Sequence, residues 1–334
     1  MTAVLFVRLS AMGDLVHGLG AMAALHHARP DWPLALVTQP EFVPLLHGLP
    51  VPLRVVTFDR RGGLAALWRL GRELRRLRPD VALDLQGNWK SALVARLSGA
   101  PRRLGMASSW RQEPASRWLL TATVVGAGLP HPAKAATKLV QALAPEVAFA
   151  PPALVAAQAE LQQERVAIEH LGIDWRRPFV VVVLTDPADP RALRPAVVQE
   201  LSRRHAGRVL LVVGPAEAGV PVPAGAAVLR HARGELRRLV ALGAIVAAAG
   251  GLVLGPDQGA THVLAATGAR TRVAYGPQDP QRTAPPAATV VVHALAPACR
   301  PCRSRRCHHE AGPVCMDFDP EAGRMLDVTW SAPA

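Results

Sequence analysis

Hydrophobic and polar positions along the chain fall into two successive series of short apolar runs, each run followed by a segment with helical spacing. In the first series Val4–Leu9, Leu34–Thr38, Val55–Phe58 and Val81–Leu85 read as buried strands. In the second, Phe179–Leu184, Val209–Val213, Leu252–Leu254 and Arg272–Ala274 are the strands, and helices are expected at Pro195–Ala206, Gly234–Leu242 and Gly259–Thr267. Strand alternating with helix implies an α/β fold whose parallel sheets carry helices on both faces. The stretch Ala144–Leu154, "APEVAFAPPAL", holds three prolines and reads as a linker, with a helix expected over Val155–Leu171. The pattern therefore predicts two doubly wound domains, 1–150 and 151–334, with a cleft between them. Ligands of open α/β sheets sit beyond the carboxyl ends of strands, so the loops after Leu9, Leu184, Val213 and Leu254 are expected to line that cleft.

Composition narrows the class. With 334 residues the chain can build two cores of ordinary size, and no apolar stretch of about 18 residues runs free of turn formers. The N-terminus lacks a charged segment ahead of a long apolar core, which points to a soluble cytoplasmic protein. A net charge of +13 suits an anionic partner: nucleic acid, a phospholipid surface or a phosphorylated substrate. Only 4% of residues are aromatic, which leaves a single-strand nucleic-acid binder poorly supplied with stacking platforms. An arginine-favouring genome would produce part of the same excess.

Candidate chemistry sits in the loops. "RLSAMGDLVHGLGAM" occupies the first strand-to-helix corner, where Gly13 would permit a tight turn and Asp14 would stand at the mouth of the cleft, as a helix cap or as an active-site carboxylate. In "LVLGPDQGATHVLAATGA" a helix opening near Gly259 would offer backbone N–H groups to a phosphate, beside Asp257, Gln258 and His262. Capping by Asp257 and core packing by His262 are the plainer alternatives. Thr185, Arg191 and Arg194 could meet a phosphate, and Glu217 sugar hydroxyls. In the first half, Phe58–Asp80 carries seven arginines against one glutamate and two aspartates. Most of that row reads as a solvated helix face, but Arg60 and Arg61 follow a strand and could hold an anionic acceptor. Gln86, Gly87 and Lys90 would border the same cleft.

Taken together, "RLSAMGDLVHGL", "DLQGNWKSALVARL" and "GPDQGATHVLAATGARTRVAYGPQDP" resemble motifs of the bacterial ADP-heptose:lipopolysaccharide heptosyltransferases, glycosyltransferase family 9. "WRQEPAS", Trp110–Ser116, is similar to an element of the heptosyltransferase I branch. The resemblance implies GT-B architecture and an inverting transfer that requires no metal or other cofactor, from an ADP-sugar to an anionic glycolipid acceptor. Carried over by motif, Asp14 is the general base. Ser10, Met12, Gly13, Arg60, Arg61, Gln86, Lys90 and Arg111 fall on the acceptor side. Thr185, Arg191, Glu217, Asp257, Gln258, Gly259 and His262 fall on the donor side. The expected location is the cytoplasmic face of the inner membrane, in peripheral contact, with no nucleic acid as partner.

Departures from the pattern are equally specific. "PRALRP" lacks the Lys and Trp common in the first loop of the second domain, Gln258 stands where Thr or Ser is usual, and Gly20 replaces a Pro. A degenerate member that binds a nucleotide sugar without transferring it is therefore an alternative reading, as is a basic nucleic-acid-binding protein. An NAD-dependent dehydrogenase is disfavoured by the missing GxGxxG fingerprint. Cys299, Cys302, Cys307 and Cys315 lie within seventeen residues, and similar Cys-x-Pro-Cys tails occur in the family. Their C-x2-C-x4-C-x7-C spacing departs from common zinc modules, so no metal is expected and a weak zinc cluster is the alternative.

Overall fold

The structure, a computed structural model, describes residues 2–217, 219–292, 297–318 and Val328. The chain divides into two compact units, residues 1–153 and 154–334.

The first unit comprises β1 (Val4–Val7), α1 (Met12–Ala28), β2 (Leu34–Thr38), β3 (Leu53–Thr57), α2 (Gly63–Arg76), β4 (Val81–Asp84), α3 (Trp89–Leu97), β5 (Arg102–Met106), β6 (Ala122–Val124) and α4 (Pro132–Gln141). Its strands form a parallel sheet in the order β3-β2-β1-β4-β5-β6. The chain starts at the centre, winds outward through β2 and β3, then returns to pair β4 with β1. Right-handed crossovers consequently place α1 on one face of the sheet and α2 and α3 on the other. In agreement, α1 packs against α4, and α2 against α3.

The second unit comprises α5 (Gln158–His170), β7 (Val180–Val183), α6 (Pro195–Arg204), β8 (Val209–Val213), β9 (Ala227–Arg230), α7 (Leu236–Ala248), β10 (Leu252–Pro256), α8 (Gly259–Ala265), β11 (Thr271–Tyr275), α9 (Pro280–Thr283) and β12 (Thr289–Val292). Its parallel sheet, β12-β11-β10-β7-β8-β9, repeats the winding of the first. Each unit thus has one point, between its first and fourth strands, where successive connections leave in opposite directions.

Central strands such as β1 (VLFV) and β7 (VVVV) are buried along their whole length, as a sheet covered on both faces requires. Burial of each such side chain contributes roughly 1.5–3 kcal/mol. The expected α/β class is borne out, but four strands escape the hydrophobic pattern: β5, β6, β9 and β12. β5 opens on two arginines, and β6, β9 and β12 close the sheet edges as short strands with partly exposed residues, so their apolar runs are brief, three valines in β12 at most.

Residues 144–154 form neither helix nor strand, and Ala150 and Pro151 lie close against α1. Gly20 makes this possible, because a Cβ there would overlap the Ala150 carbonyl oxygen. The departure from the family's Pro therefore has a packing cause. Among the described residues no helix is long and apolar enough to cross a membrane.

Candidate functional site

In the first unit the candidate residues gather where β1 and β4 end. Arg8 follows β1 and is 3% exposed, its guanidinium donating to the Leu85 carbonyl and forming an ion pair with Oδ2 of Asp14. Asp14 is the third residue of α1, and Oδ2 also accepts the Ala11 N–H at 3.4 Å. A carboxylate in the first helical turn is favoured by the helix dipole, so the capping role weighed above is partly real. Oδ1 of Asp14, by contrast, has no protein partner among the described residues, and the side chain is 23% exposed. One carboxylate oxygen is anchored and the other is available.

Gly13 does not form the turn the pattern predicted. It is the second residue of α1, buried and helical, so close packing accounts for it better than a strained corner. Ser10 and Met12 are half-buried beside it. Gln86 holds this corner to β4: its Oε1 accepts from the Leu9 N–H (2.9 Å) and the Ser10 N–H (3.3 Å). Gly87 is buried after β4, where its positive φ of 77° suits glycine and its N–H donates to Oδ1 of Asp84. Lys90 and Arg61 are exposed, with no ion pair among the described residues, while the Arg60 side chain lies outside them.

Arg111, expected on the acceptor side, is buried with its whole side chain, its Nη2 2.7 Å from Oδ2 of Asp84 and both Nε and Nη2 donating to Ser116 Oγ. Asp84 is equally buried, and its Oδ1 accepts the N–H groups of Gln86 and Gly87. Arg111 and Asp84 together fix the loop that carries Gln86 from below.

In the second unit the corresponding point lies between β7 and β10. Asp257, directly after β10, receives Nε2 of His262 on Oδ1 (2.9 Å) and the Thr283 hydroxyl on Oδ2 (3.0 Å). Burial alone would push this carboxyl up; the His262 ring, the Thr283 hydroxyl and the Arg191 charge outweigh it and hold it below its usual value. Tyr275 joins through Thr283 at 3.4 Å, its phenol pushed up by burial and by the Asp257 charge. Gln258, not Asp257, is the N-cap of α8, which starts at Gly259. Its Nε2 donates to the Leu184 carbonyl at 3.1 Å, which gives this departure from Thr or Ser a structural role.

Arg191 supplies a cation to the same point. Its Nη1 donates to the Asp257 carbonyl at 2.7 Å, while Nε and Nη2 grip the two carboxylate oxygens of Asp189 at 2.9 and 2.6 Å. Hydrogen bonding to Asp189 raises its pKa against the cost of burial, with Asp257 and Glu217 adding attraction. Arg194 instead pairs with Asp317. Thr185 opens the wall of a cavity of about 240 Å³ lined also by Leu184, Leu193, Val198, Val220 and Val222, while Glu217 ends a short 3-10 turn after β8. His231, near Gly214, is held below its usual pKa by burial.

Cys299, Cys302 and Cys307 are exposed and Cys315 is buried; together with His308 and His309 they line one cavity of about 210 Å³. Burial and then the neighbouring cysteines push the Cys315 thiol up. Among the described residues no three His, Cys, Asp or Glu side chains are grouped to hold a metal ion.

Sequence reasoning located the strand-end loops but missed Arg8, Asp84, Asp189, Tyr275 and Thr283. A charged residue directly behind a buried strand was the available signal for Arg8; partners of Asp84 and Thr283 lie 27 and 26 residues away and leave no local trace.

Two Rossmann-like units, each a parallel six-stranded sheet with polar groups at its winding point, are the fold class of GT-B proteins, and known relatives agree. The description "Glycosyltransferase family 9 (heptosyltransferase)" matches residues 67–311. The chain belongs to that family. It is 22% identical over 298 residues to the lipopolysaccharide core heptosyltransferase OpsX of Haemophilus influenzae, covering 84% of this chain and 80% of that protein. The E. coli ADP-heptose LPS heptosyltransferase II superposes with a TM-score of 0.69 at 21% identity, covering 88% of this chain and 92% of that one. E. coli heptosyltransferase WaaC, solved with ADP-2-deoxy-2-fluoro heptose, gives 0.63 at 22% identity over 86% and 92%. The resemblance read from the motifs is borne out at the level of family, fold and glycosyltransferase class.

Proposed function

We propose that this protein transfers a heptose, or a related sugar, from an ADP-sugar to an anionic glycolipid such as the inner core of lipopolysaccharide, with inversion and without a metal. The observation that carries the reading is Asp14: a carboxylate at the carboxyl end of the central strand, one oxygen pinned by buried Arg8 and the other unengaged. In this reading Oδ1 takes the proton of the acceptor hydroxyl as that oxygen attacks the anomeric carbon, and the bond from that carbon to the diphosphate breaks, releasing ADP. Arg8 keeps the base oriented without occupying the working oxygen.

The donor is assigned to the second unit. Arg191 and the amides opening α8 would meet the negative charge that gathers on the departing diphosphate, as fixed donors do without reorganising. Thr185 borders a pocket suited to the nucleoside, Glu217 is assigned to the nucleoside by motif, and Asp257 and His262 to the sugar or diphosphate. Arg61, Lys90 and the first unit's basic charge suit an anionic acceptor, and the site of action is the cytoplasmic face of the inner membrane. Relatives support the donor class, since WaaC was solved with an ADP-heptose analogue.

Titration calorimetry with ADP, UDP and GDP in metal-free buffer is the test, run on the natural protein and on Asp14→Asn. Selective ADP binding by both, with transfer reduced by about 10²-fold or more in the variant, is expected. Loss of ADP selectivity overturns the donor assignment, and unchanged transfer overturns the role of Asp14. A second reading, nucleotide-sugar binding without transfer, is favoured by one observation: the grip of Asp189 on Arg191 reduces the charge left for a diphosphate. ADP binding with no transfer by the natural protein would select it.

A further inference from the structure

The second face of the first sheet carries an unusual surface. The tryptophans among the described residues that are exposed are Trp68, Trp89 and Trp118, at 62%, 45% and 74%. They come from α2, the start of α3 and the turn at Pro114–Leu119, and these elements are neighbours: α2 packs on α3, and α3 on that turn. Leu64, one helical turn before Trp68, is 85% exposed. An apolar surface of this kind has no role in a monomer that meets only water.

Charge says what covers it. On the same solvent side of α2 stand Arg69, Arg72, Arg75 and Arg76, all exposed, and none has an acidic partner among the described residues. In the second unit helix-borne arginines find acidic partners, as with Arg203 and Arg204 on Glu200 or Arg237 on Glu160. The guanidinium of Arg72 lies 4.7 Å from the Trp68 ring centroid and that of Arg117 5.0 Å from Trp118, so aromatic and cationic groups are interleaved rather than segregated. Indole rings with an apolar body and one N–H settle at the headgroup level of a bilayer, and arginines beside them meet lipid phosphates. The helix is not long and apolar enough to cross the bilayer.

We propose that this face, centred on Leu64 and Trp68 of α2, seats the protein on an anionic phospholipid bilayer. It rests on the glycolipid reading above for its biological purpose but not for its evidence, and it identifies a surface that net charge alone did not. The row read from sequence as a solvated helix face is, on this view, a headgroup-binding face. Seating is superficial: two apolar side chains enter the interface, and the arginines remain among phosphates and water.

The test is cosedimentation of the full chain with vesicles of phosphatidylglycerol mixed into phosphatidylcholine, against phosphatidylcholine alone. Binding that requires the anionic lipid and falls with salt is expected. Leu64→Ser with Trp68→Ser should weaken it by about tenfold or more, and Arg72→Gln or Arg75→Gln by about fivefold each. Val166→Ser, an exposed apolar position of the second unit, should change nothing. Absence of vesicle binding, equal binding by the double serine variant, or stronger binding to RNA lost in the same variants would each overturn the proposal. Transfer to a water-soluble acceptor sugar is measured alongside: vesicle binding with no transfer by any form supports the docking face while overturning the functional reading.

Discussion

Replacing Arg111 by alanine separates its two interpretations sharply. If the guanidinium met the acceptor, the variant would fold normally and show a raised KM. The structure places it elsewhere, with zero side-chain exposure for both Arg111 and Asp84 and a 2.7 Å ion pair between them. Truncation would leave the Asp84 carboxylate buried with only the Gln86 and Gly87 amides for company. Breaking one side of a buried pair costs about 3–5 kcal/mol, and at roughly 2–4 °C per kcal/mol for a unit of this size the melting temperature should fall by roughly 6–20 °C. Thermal and urea unfolding followed by circular dichroism, without ligand, measure this directly. Asp84→Asn combined with Arg111→Met is the control: an Asn oxygen can still accept from the two amides, no charge is stranded, and at least half the loss should return. A drop of less than about 1 kcal/mol in the single variant, accompanied by a raised acceptor KM, would refute the reasoning.

Gly20→Ala should destabilise the first unit by about 1–3 kcal/mol, read as a lowered urea midpoint, because the new methyl meets the Ala150 carbonyl. The depressed carboxyl of Asp257 contributes stability that is fully present above its ordinary value of 3.8 and is lost as pH falls through the lower folded value. Unfolding measured across acid pH should therefore show a decline below 3.8 that Asp257→Asn flattens. The two glutamines should respond oppositely to charge. Gln86→Glu keeps an acceptor for the Leu9 and Ser10 amides and should be tolerated, whereas Gln258→Glu sets a carboxylate against the Leu184 carbonyl and should lower the melting temperature measurably.

What could be read in the sequence follows from where the information lies. Central strands such as β1, β7 and β10 are apolar at every position because both sheet faces are covered, so a run of valine and leucine suffices to find them. Edge strands β6 and β12 are short, mostly exposed and held by backbone pairing to β5 and β11, which no side-chain pattern records. The catalytic candidates were legible for a topological reason: polar groups directly behind buried strands have few other uses. Their partners were not, since Arg8 reaches Leu85 and Gln86 reaches Leu9 across 77 positions. Arg111 is ambiguous in the sequence because an arginine in a motif looks the same whether its charge faces a ligand or a buried aspartate. Trp68 was overlooked for the converse reason, as α2 has a proper buried side in Leu70 and Leu74 and its arginines make the other side read as merely solvated.

The winding described for the two sheets also has a consequence for synthesis on the ribosome. Every strand pairing is confined to its own unit, and all six strands of the first sheet precede the linker. By the time β7 is translated, the first half already possesses its full set of partners, including the 144–154 segment that closes over Gly20. Nascent chains of this kind can complete one half while the other is still being made, and no edge of the first sheet waits for a strand not yet synthesised.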